Sequence, residues 1–252
     1  MARRRFFVDQ VHQGQAEITG ENAHHLTRVL RVEVGQKFEI TDNERAWLAS
    51  VESVHKDLVR FTLFEELPPG PDLPAITLYL ALIKFERFEW AVEKATELGV
   101  TRIVPVNAAR SEQGLFQAAK KRSERWRRIA REASEQSRRL RTPDIGDAVR
   151  LAEALKADAT HRCWFDEQPG ATPLIDTFRF AASESAAAFI GPEGGWTEAE
   201  REQFRAAGWT AVSLGPLVLR AETAVCAALG VLSQMWLTGA TKLTPSTIET
   251  GG

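Results

Sequence analysis

Residues 189–200 read FIGPEGGWTEAE, and this stretch decides the fold. An apolar strand end runs into Gly191-Pro192-Glu193-Gly194-Gly195. Thr197 and Glu200 then give the T-x-x-E spacing that opens a helix. A strand that passes into a helix through glycines is the repeating unit of an α/β sheet, and such turns are where these sheets hold small molecules. The order of the glycines does not match G-x-G-x-x-G, and no Lys-Ser/Thr pair follows as in a P-loop. Glu193 would repel a pyrophosphate and favour positive charge, and the capping box occupies helix amides that an anion would need. The turn is therefore poorly suited to phosphates.

A second turn lies a little further on, in SLGPLVLRAETA at 213–224. It again places Gly-Pro, Gly215 and Pro216, after a strand, and it leads to Arg220, Glu222 and Thr223 at the head of a helix. Two adjacent parallel strands would bring these two loops together around one apolar-walled pocket. Taken singly, each turn also has the ordinary reading of a connection made from turn residues.

Outward from these turns the chain keeps the same grammar. ITLYLALI at 76–83 is a continuous apolar run, expected for a strand buried on both faces of a parallel sheet. ERFEWAVEKATELG places Phe88, Ala91, Val92, Ala95 and Leu98 on one helical stripe and stops at Gly99. RIVPV, RCWF, AAAFI and TAVSL predict further strands, and Leu151 to Lys156, Thr197 to Ala207 and Ala221 to Leu237 predict helices. The segment LPPGPDLP at 67–74 can continue neither element, so a boundary falls there. Before it the pattern is mainly short strands, with Val59, Phe61 and Leu63 alternating against Arg60 and Thr62. A short helix is predicted at ENAHHLTRVLR, with Asn22 as its cap. The expected organisation is a first domain at 1–70, an α/β domain at 74–240 and a disordered tail at 241–252.

The chain has 252 residues, 44% of them hydrophobic and 26% charged, which is ordinary for a soluble globular protein. No apolar run approaches the roughly 18 residues of a membrane span, so no membrane partner is expected. The start MARRRFFVDQ lacks the apolar stretch of a signal peptide, which points to the cytoplasm. Cys163 and Cys226 have no metal-ligand spacing, so no metal is expected. Net charge is −2, yet the segment 120–141, KKRSERWRRIAREASEQSRRLR, holds ten Lys or Arg against three Glu. With this segment at +7, the rest of the chain is left at −9. Such a face reads either as a footprint for a polyanion or as a solvated side of an amphipathic helix.

At the two glycine turns the sequence resembles the bacterial 16S ribosomal RNA uracil-N3 methyltransferases of the SPOUT class. The stretches that carry the resemblance are RRRFF at 3–7, HHLTRVLRVEVGQ at 24–36, EWAVEKATELGVTRIVPV at 89–106, RS at 110–111, RWRRIAREASEQSRR at 125–139, IGPEGGWTEAE at 190–200 and LGPLVLRAETA at 214–224. They keep their order over some 220 residues. The resemblance implies an N-terminal PUA-like β-barrel that grips RNA and an α/β domain threaded as a deep trefoil knot. It implies a homodimer and methylation of N3 of one uridine in small-subunit RNA, free or in the 30S particle.

The implied cofactor is S-adenosyl-L-methionine, held by Ile190, Gly191, Pro192, Glu193, Gly194, Gly195, Leu214, Gly215, Leu217, Val218, Leu219, Thr223 and Ala224. Arg220 is the first choice for stabilising charge on the uracil, Arg110 the second, and Glu222 a candidate base. An ion pair of Arg220 with Glu222 or Glu193, bracing the turns, is the competing reading. Contacts to RNA are expected from Arg3, Arg4, Arg5, His25, Arg28, Arg31, Arg125, Arg128, Arg138 and Arg139. Trp196 reads as a base-stacking platform or as an anchor beneath the new helix.

Two departures stand out. The family usually has arginine where this chain has Leu217, and Gly-Asp where it has Phe85-Glu86. Three rival functions are a Rossmann-type nucleotide enzyme, a non-catalytic ribosome assembly factor, and a SPOUT enzyme with another RNA target. The missing phosphate motifs and Glu193 oppose the first.

Overall fold

The computed structural model describes residues 4–70, 73–181 and 183–241. The chain divides into two compact units, one of Met1–Asp72 with Arg131–Thr142 and one of Leu73–Ala130 with Pro143–Gly252.

The first unit is a six-stranded sheet built from β1 (Arg5–Phe7), β2 (Val11–His12), β3 (Gln15–Thr19), β4 (Lys37–Thr41), β5 (Ala46–His55) and β6 (Leu58–Glu66), in the order β1-β4-β5-β6-β3-β2. All its pairings are antiparallel except β1 with β4. Period-two alternation turns Ala16 and Ile18 of β3 and Val59 and Phe61 of β6 inward, where they meet Phe6, Leu26, Ile40 and Val51. The helix between β3 and β4 differs from its expected form. Helix α1 (Gly20–His24) begins after Thr19, so Asn22 lies inside it instead of capping it, and it continues as a π-turn over His25–Val29. That wider turn keeps both Ala23 and Leu26 buried.

Residues 131–142 add to this unit, beyond the limit read at residue 70. Backbone carbonyls explain why. Arg131 Nη2 donates to the Phe7 carbonyl at 2.5 Å, Arg5 Nη1 to that of Arg138 at 2.9 Å, and Thr41 Oγ1 to that of Leu140 at 3.1 Å. Glu135, buried beside them, is pushed up to about 7 by its burial, against the opposing pull of Arg131 and Arg4 and of the Phe7 N–H. A carboxyl whose folded pKa is raised gives stability that is complete below its ordinary value of 4.5 and is lost as pH climbs to about 7. Glu135→Gln should therefore be near neutral at pH 4 and stabilising by up to about 3 kcal/mol at pH 8. Denaturant titrations of both proteins across that range check this; a variant no more stable than the parent at pH 8 refutes it.

The second unit is an eight-stranded, wholly parallel sheet: β7 (Ala75–Ala81), β8 (Arg102–Asn107), β9 (Asp144–Ile145), β10 (Val149–Arg150), β11 (His161–Phe165), β12 (Thr172–Pro173), β13 (Ser185–Ile190) and β14 (Thr210–Ser213). The order is β10-β8-β7-β13-β11-β14-β12, with β9 on β8. Its helices are α2 (Phe85–Glu97), α3 (Leu115–Gln136, whose last turn belongs to the first unit), α4 (Leu151–Ala154), α5 (Leu174–Thr177), α6 (Glu198–Ala206) and α7 (Ala221–Thr241).

The apolar run at 76–83 is explained by cover on both faces. Ile76, Leu78 and Leu80 pack with Phe88 of α2 and with Val225, Leu229 and Leu232 of α7, while Tyr79 and Ala81 face Trp164, Phe189, Phe204 and Trp209. The predicted stripe of α2 is the buried one, and Gly99 ends that helix in the left-handed region at φ +93°. Cys163 is buried in this core, which pushes its thiol up to about 12. Among the described residues no cluster of ligating side chains could hold a metal ion, and no helix is long and apolar enough to cross a membrane. The tail expected at 241–252 lies, apart from Thr241, outside the described residues.

Candidate functional site

A cleft of about 280 Å³ opens at the carboxyl ends of the parallel strands of the second unit. The two glycine turns both line it, although their strands are not neighbours as the sequence suggested. β11 lies between β13 and β14. Sheet order cannot be read from spacing along the chain, and the intervening strand adds a third wall, Phe165, Asp166 and Glu167.

The first turn is held from below. Trp196 is fully buried, donates from Nε1 to the Phe165 carbonyl at 2.9 Å, and sets its ring edge-on to Phe189 and Phe204. It is an anchor and has no exposed face for a base. Thr197 and Glu200 form the expected capping box, with Glu200 N to Thr197 Oγ1 at 3.3 Å and Thr197 N to Glu200 Oε2 at 2.8 Å. The other Glu200 oxygen takes the Ala109 N–H at 2.7 Å. Gly191 is needed for space and Gly195 for its backbone conformation. A β-carbon on Gly191 would sit 3.0 Å from the Trp196 indole, and one on Gly195, already at φ +67°, would sit 2.5 Å from Glu167 Oε1.

The walls are apolar side chains, Ile190, Leu214, Leu217, Val218 and Leu219, between stretches of bare backbone. Every charged residue on the lining is acidic: Asp166, Glu167 and Glu193. Their cations come from residues outside that lining. Arg201 grips Asp166 through two hydrogen bonds of 2.9 Å and reaches Glu167 Oε1 at 3.3 Å. Arg87, on the first turn of α2, pairs through Nη1 with Glu193 Oε1, and its Nε stands 4.0 Å from Glu222 Oε1. A cleft of this character rejects phosphates and suits a ligand with an apolar body and positive charge.

Of the thirteen residues proposed for the cofactor, twelve line this cleft; Thr223 is exposed and does not. Arg220 is exposed at the head of α7, and the ion pairs offered as its competing role belong to Arg87. Arg110 lies along the first turn, donating from Nη1 to the Gly194 carbonyl at 2.6 Å. Glu222 is mostly buried, and its Oε2 has no hydrogen-bond partner among the described residues.

The residues offered to RNA fall into groups. Arg4, His25, Arg28 and Arg31 lie in the first unit, with Arg28 and Arg31 exposed. Arg5 and Arg139 are withdrawn from solvent: Arg5 pairs with Glu39 at 2.9 Å, and Arg139 is buried, which lowers its pKa to about 10. Both serve the fold. Arg138 reaches Glu39 at 3.5 Å. Arg125 and Arg128 are exposed on α3, Arg125 bonded to Glu89 at 2.8 Å. Arg3 lies outside the described residues.

Sequence reasoning missed Asp166, Glu167, Arg87 and Arg201. The acidic pair directly after a strand, in RCWFDE, was the available signal for the first two. Of the two departures, Phe85 is seated edge-on to Trp126 at 5.8 Å beneath the Arg122 guanidinium, and Leu217 is an exposed part of the cleft rim.

Comparison with known proteins gives matches over both units. A family model described as an RNA methyltransferase domain matches residues 71–233, and one described as an RNA methyltransferase PUA domain matches residues 18–64. The chain is 35% identical to the ribosomal RNA small subunit methyltransferase E of Bacillus subtilis, over 91% of this chain and 95% of that protein. It is 32% identical to the protein of the same name from Mycobacterium bovis, over 92% of each. The crystal structure of a ribosomal RNA small subunit methyltransferase E from Neisseria gonorrhoeae bound to S-adenosyl methionine superimposes with a TM-score of 0.85 at 29% identity, covering 93% of this chain and 98% of that one.

Proposed function

Because the chain belongs to the family of ribosomal RNA small subunit methyltransferases E, we propose that it methylates N3 of one uridine in small-subunit ribosomal RNA, with S-adenosylmethionine as donor. The observation that carries the donor is the cleft at the two glycine turns, whose charged lining is wholly acidic. S-adenosylmethionine has no phosphate and bears a sulfonium and an ammonium, so it fits that lining. Bound there, it supplies an electrophilic methyl and leaves as a neutral thioether.

The protein's own part is binding, charge and proton control. Glycines 191, 194 and 195 bring the first turn to the cleft wall, and Glu167 and Glu193 offer acceptors to the ligand's cationic groups. N3 of uracil carries an imide proton, which must depart as the N–C bond forms and the S–C bond breaks with its electron pair left on sulfur. Glu222, with one carboxylate oxygen unpartnered, is the acceptor we assign to that proton. Arg220 is the guanidinium we assign to the negative charge gained by the uracil carbonyls. The first unit, with exposed Arg28 and Arg31, and the exposed arginines of α3 are assigned to the RNA. The proposal includes a knotted backbone in the second unit, a homodimer, a 30S particle as the natural substrate and a cytoplasmic location.

The decisive experiment treats small-subunit RNA and 30S particles with methyl-labelled cofactor and analyses the nucleosides by mass spectrometry. Label in N3-methyluridine is expected. Label in another nucleoside would overturn the target, and no calorimetric binding of S-adenosylmethionine would overturn the donor.

A further inference from the structure

We infer that Arg87 is a specificity-determining residue: as resident counter-cation of Glu193 and Glu222, it limits how strongly the cleft prefers the sulfonium donor to the neutral thioether left after transfer. This rests on the donor proposed above and concerns the same site.

The two carboxylates come from the two turns that form the cleft. Glu193 lies on the lining itself, and Glu222 directly follows Ala221, a residue of the lining. Arg87 belongs to neither turn. It projects from the first turn of α2, pairs with Glu193 and stands 4.0 Å from Glu222, whose second oxygen has no hydrogen-bond partner among the described residues. One cation thus serves two anions, and the cluster carries a net charge of −1.

S-adenosylmethionine and S-adenosylhomocysteine differ by one methyl group and one positive charge. Contacts to the adenosine and amino-acid parts are shared, so the ratio of their affinities reports mainly the field at sulfur. Glu193 lies on the cleft wall and Glu222 beside it, so their uncompensated charge acts on a cation held in the cleft. Arg87 cancels half of it. A cluster of −2 would retain the donor more strongly while gaining nothing for the product; a cluster of −1 keeps the two affinities closer. A residue that only braced the turns would change both affinities together.

The test is calorimetry of both ligands with the intact protein and with Arg87→Met, Arg87→Lys and Glu193→Gln. Arg87→Met keeps the apolar stem and should raise the preference for S-adenosylmethionine over S-adenosylhomocysteine about fivefold. Arg87→Lys should stay within about twofold of the parent. Glu193→Gln, which removes a charge of the opposite sign from a partly exposed position, should lower the preference and reads the same field if Arg87→Met does not fold. Equal changes in both affinities, in Arg87→Met or in Glu193→Gln, would overturn the inference and leave the donor standing. A parent protein that binds neither ligand would overturn the donor and the inference with it.

Discussion

Arg220→Ala is expected to lower the rate of methyl transfer by about two to three orders of magnitude while the affinity for S-adenosylmethionine changes by less than about threefold. The expectation comes from where the structure leaves this side chain. Leu219 and Ala221 on either side of it line the cleft, but Arg220 itself does not, and it is exposed. The carboxylates that would have held it, Glu193 and Glu222, face Arg87. A guanidinium with no ion pair among the described residues has no bracing role to lose, so its removal should shift stability by no more than about 0.5 kcal/mol. What it can do is meet a developing anion with a planar pair of donors, an interaction that grows in the transition state and lowers kcat when removed. Single-turnover rates at saturating RNA, with calorimetry and a melting curve on the same preparation, separate these effects. Arg220→Lys should recover only part of the rate, because an ammonium presents one point charge where two coplanar donors are needed. Unchanged turnover in Arg220→Ala would make it a surface residue.

The parts of this site that were legible in the sequence are those written in local chemistry. Glycine and proline mark the turns, T-x-x-E marks the helix start, and an unbroken apolar run marks a strand covered on both sides. Each is a constraint between residues a few positions apart. The order of parallel strands is not such a constraint, because a crossover through a helix can return the chain to several positions in the sheet. β11 was therefore predicted as a strand without being placed between β13 and β14, and the acidic pair at its end went unassigned.

The same reason hid Arg201 and Arg87, whose partners lie 35 and 106 positions away. It also hid residues 131–142, which look like the end of a basic helix and yet complete the first unit, their carbonyls accepting from Arg5 and Thr41 and their Arg131 donating to the Phe7 carbonyl. Charge alone could not tell Arg139, which is buried, from Arg128, which is exposed. The composition of one helix gives its total charge, whereas burial depends on what the fold brings against it.

Arg201→Met is expected to destabilise the second unit by about 3–5 kcal/mol, since removing one partner of a buried ion pair leaves the other charge without compensation. Arg201 and Asp166 have side chains only 7% and 5% exposed, and the guanidinium meets both carboxylate oxygens at 2.9 Å. This pair fixes the third wall of the cleft to α6, because Asp166 lines the cleft and Arg201 lies on that helix. Replacing both partners, with Asp166→Asn added, should recover most of the stability at pH 7.5, since no buried charge then remains. Urea titrations followed by tryptophan fluorescence suit the test, with Trp164 two positions before Asp166 in the chain and Trp196 hydrogen-bonded to the Phe165 carbonyl beside it. A loss below about 1 kcal/mol in Arg201→Met would show that water reaches Asp166 and that the pair is a surface contact.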